Sequence, residues 1–103
     1  MPGWIDVCSA EDLPPGSLRA CSLAGRDVAV CRLEDGSLRA VHDLCTHADA
    51  LLSEGWIEGR CVVCPLHEAR FDLDTGEARS LPATESVETF PVREDQGRIL
   101  VKA

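Results

Sequence analysis

Two short segments, Cys45-Thr46-His47 and Cys64-Pro65-Leu66-His67, constrain this chain more than any other feature of its sequence. They read as C-x-H, a gap of sixteen residues, then C-x-x-H. Each segment delivers one thiolate and one imidazole, and a fold that uses them must bring both loops to a common point. The chain has three His in all, and two of them stand at matched offsets from a Cys, which makes chance a poor explanation. Two thiolates with two imidazoles suit iron in a [2Fe–2S] cluster in which two His replace two Cys on one iron.

Around these segments the pattern is all-β. Asp27–Leu33, the turn Glu34-Asp35-Gly36-Ser37 and Leu38–Val41 read as strand, Asp-Gly turn, strand. Ser86–Arg93, the turn around Asp95-Gln96-Gly97 and Arg98–Lys102 form a second such unit. Trp4–Cys8 and Leu18–Leu23 are expected strands, separated by a single helical turn with Ser9 as its cap. Short strands punctuated by Gly and Pro indicate a sandwich or small barrel. The metal segments fall in two loops, and the gap between them holds Trp56-Ile57-Glu58 and Arg60–Val63.

A rival ligand set exists, because Cys61-Val62-Val63-Cys64 is itself C-x-x-C and with Cys45 and His67 would make a zinc site. Strand alternation speaks against it: in an extended Arg60–Cys64, Cys61 points away from Cys64 and is expected in the core. The zinc set also leaves His47 idle. His42 reads as a surface or supporting residue, and Trp4, Trp56, Phe71 and Phe90 as core anchors. Thr46, Pro65 and Asp43 are expected to shape the loops.

These residues resemble the Rieske iron–sulfur proteins, and within them the small ferredoxins that serve bacterial ring-hydroxylating dioxygenases. The resemblance continues into Phe71-Asp72-Leu73-Asp74-Thr75-Gly76 and Leu81-Pro82, and loosely to Trp4, Val7 and Glu11–Pro14. It departs at Ala48 and Glu68, where many relatives carry Gly. It implies one [2Fe–2S] cluster per chain on Cys45, His47, Cys64 and His67, with His47 and His67 each showing a ring nitrogen to solvent. It also implies a single domain, 1–103, in which a cluster-binding subdomain of about 42–82 is inserted into an antiparallel β-sandwich base of 1–41 and 83–103. High-potential relatives have an extra Cys in each ligand loop, joined as a disulfide, where this chain has Ala50 and Leu66. They also use a Tyr that donates to cluster sulfur, and this chain has none. Fewer donors to sulfur favour a low potential.

Composition narrows the function. No apolar run approaches the ~20 residues that span a bilayer, and no basic-then-apolar leader opens the sequence, so a cytoplasmic location without membrane attachment is expected. Six Cys would allow a disulfide scaffold, but Cys8, Cys21, Cys31 and Cys61 lie in strand-like apolar stretches, where Cys packs as a small hydrophobe. The formal charge is −8, from 18 acidic and 10 basic side chains. It argues against a nucleic-acid partner and suits encounter with basic faces of redox partners. A terminal oxygenase needs a second iron on a 2-His-1-carboxylate triad, and only His42 is left over. The expectation is an electron carrier, not an enzyme. It takes electrons from an NAD(P)H-dependent flavoprotein reductase and passes them to a terminal Rieske oxygenase in aromatic or related catabolism. A Rieske subunit of another reductase, such as a nitrite reductase, and a zinc-stabilised structural module are the alternatives.

Overall fold

The computed structural model describes residues 3–46, 49–81, 83 and 85–103. His47, Ala48 and Pro82, named above, lie outside the described residues. The strands are β1 Trp4–Ser9, β2 Leu18–Leu23, β3 Arg26–Arg32, β4 Leu38–His42, β5 Trp56–Glu58, β6 Cys61–Val63, β7 Arg70–Asp72, β8 Thr89–Phe90, β9 Val92–Asp95 and β10 Arg98–Lys102. They pair antiparallel in sheets of order β1-β10-β9, β2-β3-β4-β8 and β5-β6-β7.

The sheet containing β3 is the middle layer, which explains the unbroken apolar run Val28-Ala29-Val30-Cys31, buried throughout. A strand covered on one face alternates apolar with polar; one covered on both does not. Val28, Val30 and Ala40 pack into the core shared with Ile99, Val101 and Phe90. The intervening Ala29, Cys31 and Val41 pack into the core shared with Val62, Phe71 and Leu73. Burial of the Cys31 thiol between these layers pushes its pKa up to about 12.

Turn chemistry sets the hairpins. β2 and β3 are joined by Ala24-Gly25 and β9 and β10 by Gln96-Gly97, two-residue loops with positive φ at both positions, as the twist of a β-hairpin prefers. The β3–β4 turn forms where the Asp35-Gly36 pair stands, with Leu33 N–H donating to Ser37 O at 2.8 Å. Ala10–Asp12 form a single 3-10 turn with Ser9 at the N-cap position, but the Ser9 side chain makes no capping bond.

One expected strand is broken. Ser86–Arg93 is not a single strand, because Pro91 separates β8, paired to β4, from β9, paired to β10. Proline lacks the N–H that an uninterrupted ladder requires, and the chain changes sheets there. Lys102 N–H donates to Pro91 O at 3.0 Å. Arg60 binds Asp35 at 3.0 Å and Asp74 at 2.7 Å, and Arg39 binds Asp74 at 2.6 Å. These exposed pairs clip the β3–β4 hairpin to the third sheet. Among the described residues no helix is long and apolar enough to cross a membrane.

Candidate metal centre

Two loops of matching construction carry the Cys/His segments. The first leaves β4, and Cys45 N–H donates to Ala50 O at 2.9 Å above a Leu44–Leu51 bridge. The second joins β6 to β7, and Cys64 N–H donates to Ala69 O at 2.8 Å above the Val63–Arg70 pair. In each, a buried Cys bonds the carbonyl of a buried Ala five residues on, so the loop turns back tightly on itself.

The loops bring Cys45 and Cys64 together, with a hydrogen bond between their thiols. Burial raises the Cys64 thiol to about 11, opposed by the Leu66 N–H that bonds its sulfur and reinforced by Cys45. Two buried thiols side by side disfavour ionisation unless a cation compensates, and a backbone N–H already aimed at sulfur is the bond a metal-bound thiolate accepts. His67 is exposed at the turn of the second loop. It and Glu68 both have positive φ, 63° and 55°, the conformation that accounts for Gly after the second His in relatives.

Cys61 is not part of this arrangement. It stands opposite Asp72, with Arg70 and Arg79 nearby, on the other side of the strand from the thiol pair. The expectation that it joins the core is corrected: it is half-buried, standing between Glu58 and Asp72 in the ladder, where Asp72 carries the Arg79 ion pair. All four members of the zinc set, Cys45, Cys61, Cys64 and His67, are described, and no three His, Cys, Asp or Glu among the described residues converge to hold one ion. A two-iron cluster divides its ligands between two metal positions, and two adjacent thiols with the His67 imidazole in the second loop are donors that fit it.

The supporting residues are partly as expected. Thr46 Oγ1 donates to Glu85 O at 2.8 Å, and Arg70 N–H donates to Ser80 Oγ at 3.0 Å. Ser80, Glu85 and Glu88 thus brace the chain around both ligand loops. Asp43 is buried and bonds Ser53, a partner ten residues away that no local pattern marks. His42 lies at the end of β4 and bonds Glu88 O through its backbone N–H at 2.8 Å. Of the four aromatic residues, Phe71 and Phe90 are core, and Trp4 is half-buried with Arg93 over its ring at 4.5 Å. Trp56 is not a core anchor. It is 38% exposed on the edge strand β5, its Nε1–H donating to Glu58 at 2.6 Å. Leu44, Leu66 and Leu81 are exposed as well.

Comparison with known proteins agrees with this geometry. A model of the Rieske [2Fe-2S] domain matches residues 3–91. The chain is 38% identical over 99 residues to the ferredoxin component of the naphthalene 1,2-dioxygenase/salicylate 5-hydroxylase systems of Ralstonia sp, covering 96% of this chain and 94% of that one. It superposes on a chain from the complex of reduced oxygenase and oxidized ferredoxin in carbazole 1,9a-dioxygenase with a TM-score of 0.90 at 36% identity, covering 99% and 94% of the two chains. A protein of Mycobacterium tuberculosis assigned as an NADH-dependent nitrite reductase small subunit gives a TM-score of 0.85 at 33% identity, covering 95% and 92%. With a family model spanning most of its length and a ferredoxin relative aligned nearly end to end, the chain belongs to the Rieske [2Fe-2S] domain family.

Proposed function

We propose that this protein is the ferredoxin of a ring-hydroxylating dioxygenase system, holding one [2Fe–2S] cluster on Cys45, His47, Cys64 and His67. One observation carries the reading: two buried Cys from separate loops meet, and an exposed His follows the second of them in its loop. The cluster, when bound, supplies a site for one electron. The chain's own residues do the rest. Cys45 and Cys64 anchor the buried side, the exposed His67 is the ligand toward solvent, His47 completes the set, and the Leu66 N–H holds one sulfur in place. The subdomain reading of about 42–82 on a base of 1–41 and 83–103 goes with this assignment. Its support is the third sheet, whose strands β5 to β7 all fall within 42–82 and which shares a core with the middle sheet.

The electrons come from an NAD(P)H-dependent flavoprotein reductase and go to a terminal Rieske oxygenase, in the cytoplasm. Both partners dock at the face formed by the ligand loops and the segment after Ser80. Leu44 is 44% exposed there, Leu66 43% and Leu81 79%. Asp49, Glu68 and Glu85, near them in sequence, are exposed as well. Exposed leucines with acidic neighbours suit a partner that offers apolar and basic groups.

The test is a visible and EPR spectrum of the purified protein with iron and sulfide analysis. Two irons and two sulfides per chain with a Rieske spectrum support the reading; a colourless, zinc-containing protein refutes it. A second reading, the small subunit of a nitrite reductase, is favoured by the likeness to the Mycobacterium tuberculosis protein. Stable co-purification with a large reductase subunit would select it over a diffusing carrier.

A further inference from the structure

The two ligand loops are closed by matching Cys–Ala bonds but differ at their roots. Below the Cys64–Ala69 bond the second loop stands on a ladder, Val63↔Arg70, Val62↔Phe71 and Cys61↔Asp72. Below the Cys45–Ala50 bond the first loop has the Leu44–Leu51 bridge, and then its returning arm enters the 3-10 turn Leu52–Glu54 instead of a strand.

Asp43 stands where that ladder ends. It is 2% exposed, the one polar or charged residue classed as buried among the described residues. Its Oδ1 accepts the Ser53 N–H at 2.7 Å and its Oδ2 accepts the Ser53 hydroxyl at 2.7 Å. Its backbone carbonyl accepts the Leu52 N–H at 2.7 Å, and its N–H donates to Asp27 O at 2.9 Å. Both arms of the first loop and the start of β3 are thus joined at one residue. Burying a carboxylate is costly unless its oxygens are bonded, and here both are.

We infer that Asp43 is a positioning residue for the cluster: its carboxylate, clamped on Ser53, replaces the missing ladder and holds the Cys45 loop in register with the Cys64 loop. This rests on the ligand assignment proposed above. The prediction concerns geometry at the metal and not fold stability alone. Asp43→Asn keeps a carbonyl oxygen for the Ser53 N–H and gains an amide that donates to the Ser53 hydroxyl. Asp43→Ala removes both bonds, and Ser53→Ala removes one.

The experiment follows loss of visible absorbance from the holoprotein in excess iron chelator, with EPR g-values and far-UV melting recorded on the same samples. Asp43→Ala is expected to lose its cluster on the order of 10-fold faster or more, the range typical of residues that orient metal ligands, with a shifted or broadened EPR signal. Asp43→Asn is expected to behave as the parent, and Ser53→Ala to fall between. Should Asp43→Ala fail to accumulate, Ser53→Ala and Asp43→Asn decide. Parent-like cluster loss in Ser53→Ala overturns the clamp, as does an Asp43→Asn variant as labile as Asp43→Ala. An unchanged EPR signal with cluster loss that merely follows a lower melting point reduces Asp43 to a structural role and overturns the inference. A parent protein lacking iron and sulfide overturns the functional reading and this inference together. A parent with its cluster and an equally durable Asp43→Ala overturns this inference alone.

Discussion

A methyl group added at Gly55 tests how tightly the two ligand loops are built against each other. Gly55 closes the 3-10 turn Leu52–Glu54, its N–H donating to Leu52 O at 2.9 Å, and leads into β5. Its φ of −90° is open to any residue, so conformational strain is not why glycine stands there. Space is. A Cβ at this position would lie 1.8 Å from Val63 O and 3.3 Å from Leu52 O. Val63 must withdraw by about 1.2 Å to bring the first contact from 1.8 to 3.0 Å. Val63 is fully buried and immediately precedes Cys64, so the displacement acts on the ligand loop itself. Overpacking of this kind costs roughly 1–3 kcal/mol, and in a domain of this size each kcal/mol moves the melting temperature by roughly 4–8 °C. Gly55→Ala is therefore expected to melt at least ~4 °C below the parent and to be purified with less iron. Gly59→Ala is the control. Nothing lies within 4 Å of a Cβ there, and its φ of +60° makes the variant strained without crowding. It should lose stability, by roughly 1–2 kcal/mol, and keep its iron. A Gly55→Ala protein that keeps full iron content and the parent's melting temperature would refute the packing argument. Equal iron loss in Gly59→Ala would show that any destabilisation empties the site.

Four further outcomes are expected. Cys45→Ser, Cys64→Ser and His47→Ala should bleach the protein while Cys61→Ser stays coloured; the reverse pattern in an absorption and iron assay would sink the ligand assignment. Voltammetry should give a midpoint near the low end of the Rieske range, about −150 mV, unaffected by thiol reductants, since Ala50 and Leu66 cannot form a disulfide and the chain has no Tyr; a midpoint well above zero contradicts this. Electron delivery to the oxygenase should slow as salt rises, because the −8 charge steers encounter over distances that ions screen, and a rate indifferent to ionic strength removes the steering. Stability should fall in acid. Ser37 and then Arg60 hold Asp35 down at about 2, and Arg60 and then Arg39 hold Asp74 below the usual carboxylate range. A folded pKa below the unfolded one adds stability that is complete above the unfolded value, 3.8 for these groups, and is lost as pH drops through the folded value. Melting temperature should thus be level from neutral pH to about 5 and decline below about 4, modestly because the pairs are exposed; equal melting at pH 3 and pH 6 would contradict it.

Local signals in the sequence were good guides where a few neighbouring residues decide the outcome. The Cys/His spacing marks the two loops, Asp35-Gly36 marks the β3–β4 turn, and the alternation over Arg60–Cys64 separates Cys61 from the thiol pair. What escaped local reading depends on long-range placement. The Ala24-Gly25 turn carries no Asn or Asp to announce it, although its positive φ values are those of a tight hairpin. Pro91 was a visible breaker, but that the chain changes sheets there is decided by β4 on one side and β10 on the other. Trp56 looks like a core residue by type and is exposed because, among the described residues, β5 is an edge strand paired only with β6. Ser53 gives no sign in the sequence that its hydroxyl and N–H meet a carboxylate ten residues earlier.

The middle-sheet strand β3, buried on both faces, bears on how the protein is made. Ala29, Cys31 and Val41 need a cover, and Val62, Phe71 and Leu73 supply it by apolar contact, beside the ion pairs of Arg60 and Arg39 with Asp35 and Asp74. Nothing in that contact waits for iron. Small zinc modules are held folded by their metal and collapse without it, whereas here the sheet that bears the second ligand loop has its own reason to dock. The base and the sheet bearing the second loop should thus fold before iron arrives, and a chelated sample should keep its β-sheet circular dichroism after its colour is gone.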